Sequence, residues 1–219
     1  MKNKITILLI NPPFHRLFYE KRKWFPLGIY YLREYLNSFS CISAYAYNAD
    51  NSNGSEKKLL SYKERYVNSQ YYNTENDNDI IWSEIKDKIE SIKPDVIGIY
   101  SFSESFASAI KVANISKSVN QNIVTILGGH HVECMLEEDK KLFDFCIAEE
   151  GEIEILKSIA TKFPDKEEIL TMELKSKYDC TFSNQIIELV DKMPFPFSES
   201  DKNDIDKDMK LPLLLTKGG

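Results

Sequence analysis

Short runs of aliphatic and β-branched residues alternate along this chain with longer stretches whose apolar residues recur every three or four positions. That alternation limits the possible fold more than any other feature. Ile5 to Ile10, Ser43 to Tyr47, Val96 to Tyr100, Ile123 to Leu127 and Phe145 to Ala148 read as strands. Between and after them, Ile81, Ile85, Ile89 and Ile92 fall on one helical face, as do Phe106, Ile110 and Ala113, and then Ile153, Leu156, Ala160 and Phe163. A first helix begins at Pro26, whose fixed φ suits the first helical position, and turns Leu27, Leu32 and Leu36 inward. A strand apolar throughout, such as Val96-Ile97-Gly98-Ile99-Tyr100, belongs in a sheet covered by helices on both faces.

These units predict an α/β fold over residues 1–163: a five-stranded doubly wound parallel sheet in the flavodoxin-like order 2-1-3-4-5. Ser61 to Asp79 is polar, rich in Asn and Tyr and without period, and reads as a surface insertion after the second strand. Residues 164–197 hold two β-like pieces, Ile169 to Leu174 and Ile186 to Val190, expected to form a small hairpin. The proline-fixed connector Met193-Pro194-Phe195-Pro196-Phe197 follows them. Residues 198–219 read as a charged linker and then a buried strand, Leu211 to Thr216, running into Gly218-Gly219. That ending looks like a cut just after a first strand of a further domain, so the chain is expected to be the front part of a larger enzyme.

Composition removes several classes of function. A chain of 219 residues with 42 % hydrophobic content has enough apolar surface for a real core. Its net charge of -6 argues against nucleic acid or an anionic membrane as partner, and the densest basic run, Lys21-Arg22-Lys23, reads as a solvated loop. Ile5 to Ile10 is too short for a signal peptide, and no apolar stretch approaches a membrane span, so a cytoplasmic location is expected. Cys41, Cys134, Cys146 and Cys180 are scattered without a C-x-x-C pair, which suggests reduced thiols and no zinc site.

In open parallel sheets a ligand binds beyond the carboxyl ends of the strands. Asn11-Pro12-Pro13, Ser101-Phe102-Ser103, Gly128-Gly129-His130-His131 and Glu150-Gly151-Glu152 all fall at such ends. Glycine there lets a ligand touch backbone, and a branched side chain at Gly129 is expected to block that approach while leaving the fold intact. Each piece has a plainer reading: glycines as tight turns, Ser101 and Ser103 as helix caps, Glu150 and Glu152 as first-turn carboxylates facing a helix dipole. His130 and His131 would point oppositely in an extended segment, so they do not suggest a metal site. No G-x-G-x-x-G, no phosphate-binding loop with its Lys, and no Ser-His-Asp or Cys-His arrangement is present, so no catalytic residue is named.

Taken in order, Asn11-Pro12-Pro13-Phe14, Pro26-Leu27-Gly28-Ile29-Tyr30-Tyr31-Leu32, Lys93-Pro94-Asp95-Val96-Ile97-Gly98, Gly128-Gly129-His130-His131 and Glu150-Gly151-Glu152 resemble the cobalamin-binding domain of cobalamin-dependent radical S-adenosylmethionine enzymes. Ile186 to Pro196 is similar to that family's connector, and Leu215 to Gly219 looks like the strand before its C-x-x-x-C-x-x-C loop. The resemblance implies a corrinoid over the strand edge, its nucleotide tail inserted beside the sheet and its cobalt facing a separate radical S-adenosylmethionine barrel. It implies cofactor contacts from Asn11, Pro12, Pro13, Leu27, Gly28, Ser101, Phe102, Ser103, Gly128, Gly129 and His130, with Glu150 and Gly151 closing the pocket. It also brings metal-ion binding, an iron–sulfur cluster and S-adenosylmethionine, the last two expected in the part beyond Gly219, and methyl transfer through cobalt as the reaction.

Glu149 stands where the family commonly has the first glycine of G-E-G-E, and the D-x-H-x-x-G motif of cobalamin mutases is absent. His15 lies in the loop after the first strand without that motif's Asp and Gly, so cobalt ligation by the protein is not expected. The first expectation is a cobalamin-binding domain, silent alone, that supports methyl transfer in a radical S-adenosylmethionine enzyme. The alternative is a corrinoid-free structural or substrate-recognition domain. A response-regulator role is set aside because Ser101 occupies the place of a phosphoacceptor Asp.

Overall fold

A computed structural model of the chain describes residues 4–18, 25–51, 80–148, 150–184, 192–196 and 201. Strand β1 (Ile5–Asn11) occupies the interior of the sheet because it is apolar on both faces: Ile5, Ile7 and Leu9 point to one side, Leu8 and Ile10 to the other, and all are buried. It pairs in parallel with β2 (Ile42–Asn48) from Ile5↔Ile42 to Asn11↔Asn48, and on its other edge with β3 (Val96–Tyr100). Strands β4 (Val124–Gly128) and β5 (Phe145–Ile147) extend the sheet, giving the order β2-β1-β3-β4-β5, all parallel. The strand order reverses between β1 and β3, where a doubly wound sheet opens a crevice.

One face is covered by α1 (Leu27–Asn37), by α5 (Gly151–Lys162) and by α6 (Glu167–Tyr178). The other is covered by α2 (Ile80–Ile92) and α3 (Phe106–Val119). A single turn, α4 (Glu137–Lys140), precedes β5. On α2, Ile81, Ile85 and Ile89 are buried as their spacing requires, and Pro26 sits just outside α1 at its N-cap. Asp144, just before β5, ties the sheet edge together. Its carboxylate accepts hydrogen bonds from the Thr125 N–H at 2.8 Å and the Thr125 hydroxyl at 3.1 Å, and from the Lys117 ammonium at 2.7 Å.

The C-terminal part departs from expectation. Ile169 to Leu174 is not a hairpin strand but the middle of α6. Leu170, Leu174 and Tyr178 are buried at spacings of four against the core shared by α1 and α5, whereas Ile169 and Met172 face solvent. A short run with alternate apolar residues fits either period, and packing against an existing helical layer chose the helix. Glu167 and Glu168 in its first turn and Lys175 and Lys177 in its last complement the helix dipole. The expected strands Ile186 to Val190 and Leu211 to Thr216, and the insertion Ser61 to Asp79, lie outside the described residues. Among the described residues no helix is long and apolar enough to cross a membrane.

Candidate cofactor-binding site

A cavity of about 610 Å³ opens at the carboxyl ends of β1, β3, β4 and β5, on the face covered by α1 and α5. Its existence follows from strand alternation. Leu9, Gly98, Tyr100, Ile126 and Gly128 project toward that face, and two of the five positions carry no side chain. A Cβ on Gly128 would meet nothing within 4 Å, so the space beside it is open. A Cβ on Gly98 would come within 2.6 Å of Leu9 Cδ2, so Leu9 leans into the room that this glycine leaves. Leu27 to Leu32 form one wall, Glu150 to Ile155 a second, and Met193 to Pro196 lie across a third side.

Of the residues singled out from the sequence, Leu27, Gly28, Gly128, Gly129, Glu150 and Gly151 line this cavity. The others stand along the same edge outside its lining. The Asn11 side-chain amide donates to Asn48 Oδ1 at 2.8 Å, and Pro12 and Pro13 are buried beside it. Ser101 is fully buried, its hydroxyl donating to the Phe102 carbonyl at 3.0 Å, and the Phe102 ring meets Tyr100 edge-on. Ser103 is exposed with its Oγ 3.1 Å from His131 Nδ1, and His130 is exposed. Neither Ser101 nor Ser103 caps α3: its N-cap is Ser105, whose Oγ accepts the Phe102 N–H at 3.2 Å.

Gly129 is required by the backbone itself. Its φ is +105°, and a Cβ there would lie 2.5 Å from the Ser101 carbonyl oxygen and 2.9 Å from the Tyr100 ring. A branched residue at this position therefore strains the loops that join β3 and β4 to their helices. Gly128, one residue earlier, has the open surroundings expected of a ligand-contacting glycine.

The B12 binding domain family model matches residues 21–157, well over half of the chain. The chain belongs to the B12-binding domain family. It is 26 % identical over 125 residues to an uncharacterized methyltransferase of Pyrococcus horikoshii, covering 54 % of this chain and 27 % of that protein. It is also 37 % identical over 54 residues to the anaerobic magnesium-protoporphyrin IX monomethyl ester cyclase of Rubrivivax gelatinosus, covering 25 % of this chain and 10 % of the cyclase. The matched stretches thus span about a quarter and a tenth of these two curated relatives.

Several features of this B12-binding domain are not evident from its motifs. The Asp50 carboxylate, buried after β2, accepts from the backbone N–H groups of Phe14 at 2.7 Å and Arg16 at 2.9 Å, and lies 2.9 Å from His15 Nδ1. Arg16 in turn makes a forked pair with Glu84 on α2, at 2.6 and 3.0 Å. The carboxylate partner of His15, missing from its own loop, is supplied from thirty-five residues away. On the cavity side, Tyr31 and Glu152 both line the space, and Glu152 is only 5 % exposed. Burial first, and then the Glu152 carboxylate, push the Tyr31 phenol far above its ordinary value, so it remains a proton donor.

The segment across the mouth is also anchored. The Arg33 guanidinium on α1 grips the Asp201 carboxylate with two hydrogen bonds of 2.5 and 2.6 Å, both residues buried, and stacks 5.1 Å from the centre of the Tyr30 ring.

Metal-ion binding and an iron–sulfur cluster, both carried by the resemblance, must be corrected for this chain. Among the described residues no group of three or more His, Cys, Asp or Glu side chains could hold a metal ion. Cys41 and Cys180 are buried, Cys146 half-buried and Cys134 exposed, all as free thiols. His130 and His131 belong to a short 3-10 helix, His130–Cys134, not to an extended segment, and the His131 ring packs on Phe106 at 4.2 Å.

Proposed function

We propose that the chain holds a corrinoid over the carboxyl edge of its sheet, with the nucleotide tail of the cofactor in the cavity between the sheet and helices α1 and α5. The observation that carries this reading is the open side of Gly128 within a cavity of about 610 Å³, a size within the range of about 300–1,000 Å³ usual for small-molecule sites. The residues present fit such a group. Leu9, Leu27, Leu32 and Ile126 offer apolar walls for a flat base, and Gly128 lets a ligand approach the backbone. Asn11, Pro12, Pro13, Ser101, Phe102, Ser103 and His130 shape the rim, and Glu150 and Gly151 bound the pocket beyond β5. When bound, the cofactor supplies cobalt chemistry suited to moving a methyl group.

The chain's own part is to bind and orient, and none of its residues is assigned a catalytic role. In the larger enzyme, methyl transfer by a radical S-adenosylmethionine barrel following this domain is the reaction we favour. The methyltransferase and cyclase named above support a setting of that kind. A second reading, a corrinoid-free structural or recognition domain, draws on one observation: the chain's own Met193 to Pro196 lines the same cavity.

The two readings separate in one experiment. The purified chain is incubated with hydroxocobalamin, passed through gel filtration and examined by visible absorbance. Corrinoid absorbance travelling with the protein at equimolar loading is expected. A colourless protein peak at saturating cofactor would overturn the corrinoid reading.

A further inference from the structure

The walls of the cavity differ in how firmly they are held. Leu9 and Ile126 on the sheet, Ile29 on α1 and Ile155 on α5 line it and belong to one apolar core. Met193 to Pro196 close the remaining side, with Met193 half-buried against that core and Phe195 73 % exposed. Pro194 and Pro196 carry no N–H, so neither can tie this stretch down through a backbone donor. A segment with few buried apolar contacts opens at the lowest free energy, and among these walls that segment is the strap Met193–Pro196. Arg33 on α1 anchors it. Its Nη1 and Nη2 donate to the two Asp201 carboxylate oxygens at 2.5 and 2.6 Å, and Nη2 also reaches the Pro196 carbonyl at 3.5 Å. The guanidinium is itself fixed, with Nε donating to Glu34 at 2.7 Å and its centre 5.1 Å from that of the Tyr30 ring. Arg33 is 8 % exposed and Asp201 2 %, and losing one partner of so buried a pair leaves the other charge uncompensated.

We propose that the Arg33–Asp201 pair is a latch: closed, it holds Met193 to Pro196 as a strap across the cavity, and a ligand enters and leaves when it opens. That the ligand is a corrinoid rests on the reading above, whereas the latch stands on the chain's own contacts. One guanidinium meets both the strap, at the Pro196 carbonyl, and Asp201 five residues further on, so breaking a single ion pair frees the strap from α1. The forked geometry makes the closed form specific, because both carboxylate oxygens must face both terminal nitrogens at once. A strap that closes alike over an empty and a filled cavity favours neither state. It therefore scales the entry and exit rates together and leaves the affinity where it was.

The test uses the full 219-residue chain and two readouts, one of them free of ligand. Trypsin cleavage after the exposed Lys192, followed by mass spectrometry, reports how often the strap leaves the body, because a protease needs the flanking chain released. Asp201→Ala should speed that cleavage at least about tenfold, a lower bound for removing one partner of a buried, doubly hydrogen-bonded pair. Arg33→Lys, which keeps the charge and loses the fork, should fall between it and wild type. Hydroxocobalamin is the second probe, its binding followed by quenching of protein fluorescence on mixing and its release by recovery on dilution. In Asp201→Ala both rates should rise by the same factor, at least about tenfold, while the dissociation constant moves by less than about threefold. Circular dichroism and the melting midpoint establish that each variant is folded, and Arg33→Lys carries the test if Asp201→Ala is not. Unchanged cleavage in a folded variant overturns the latch. Faster cleavage with unchanged corrinoid rates, or a faster release with unchanged entry, overturns the strap as a gate and leaves the corrinoid reading standing. Failure of wild type to bind hydroxocobalamin overturns the corrinoid reading, and the latch is then decided by cleavage alone.

Discussion

The two faces of the sheet are built from the same strands and end differently. On the face under α2 and α3, Leu8, Ile10, Ile97, Ile99 and Leu127 meet Ile81, Ile85, Ile89 and Val112 in one apolar core. On the face under α1 and α5, the lower half is just as full, with Leu36, Phe39, Ile153 and Leu156 against Ile5 and Ile7, but the upper half presents Gly98 and Gly128 and leaves a cavity. A sheet alternates its side chains, so the missing side chain at Gly128 leaves open space on one face and does not touch the other. One face therefore carries a continuous apolar core and the other a cavity at the strand ends.

The strongest way to break this comparison is Ile85→Ala. Ile85 is fully buried on the filled face, and its truncation should cost about 2–5 kcal/mol in a urea melt. Corrinoid affinity below the melting range should be unchanged. A parallel loss of binding would show that the faces are not independent.

Gly129→Val is expected to destabilise by about 1–3 kcal/mol from its backbone conformation alone, because φ +105° is closed to a β-branched residue. Contact with the Ser101 carbonyl adds to that cost, so a stability loss should accompany any loss of binding. A melt indistinguishable from wild type would refute the required positive φ.

Gly128→Leu sharpens the contrast. Its side chain enters open space, so the melt should move by less than about 1 kcal/mol, the range of substitutions away from packed features. Corrinoid affinity should fall at least about tenfold, roughly 1.4 kcal/mol. Retained affinity would place the ligand elsewhere.

The smallest effect concerns the sheet edge distant from the cavity. Burial raises the Asp144 pKa, but the Lys117 ammonium and the Thr125 donors outweigh it and hold the carboxyl below the ordinary aspartate value of 3.8. A depressed folded pKa means that this carboxylate stabilises the fold above pH 3.8, and that the contribution is lost as pH falls through the folded value. Asp144→Asn should flatten the acid limb of a stability–pH profile and leave corrinoid affinity near neutrality as it was.

Much of the fold was legible in the residues themselves. The apolar run of β3 and the isoleucine spacing of α2 repeat at the periods of the backbone, and backbone period is a local property. α6 was misread because Ile169 to Leu174 is short enough to satisfy both periods, and only the helical layer offered by α1 and α5 decided between them. At the site, Gly128 and Gly151 announced themselves as glycines at strand ends. Gly128 and Gly129, adjacent and alike on paper, proved to differ: one borders open space and the other is locked by the Ser101 carbonyl.

The sequence by itself determined the five βα units, their parallel order and the strand edge at which the cavity opens, because hydrophobic period and turn residues act over a few positions. Only the tertiary structure decided which side of that edge is hollow, and which distant groups meet there. His15 finds Asp50 across 35 positions, and Arg33 finds Asp201 across 168. Such pairs carry no local signature: a carboxylate is drawn to whichever cation or donor the packing of the sheet brings within hydrogen-bond reach, and that is known only once the chain has folded.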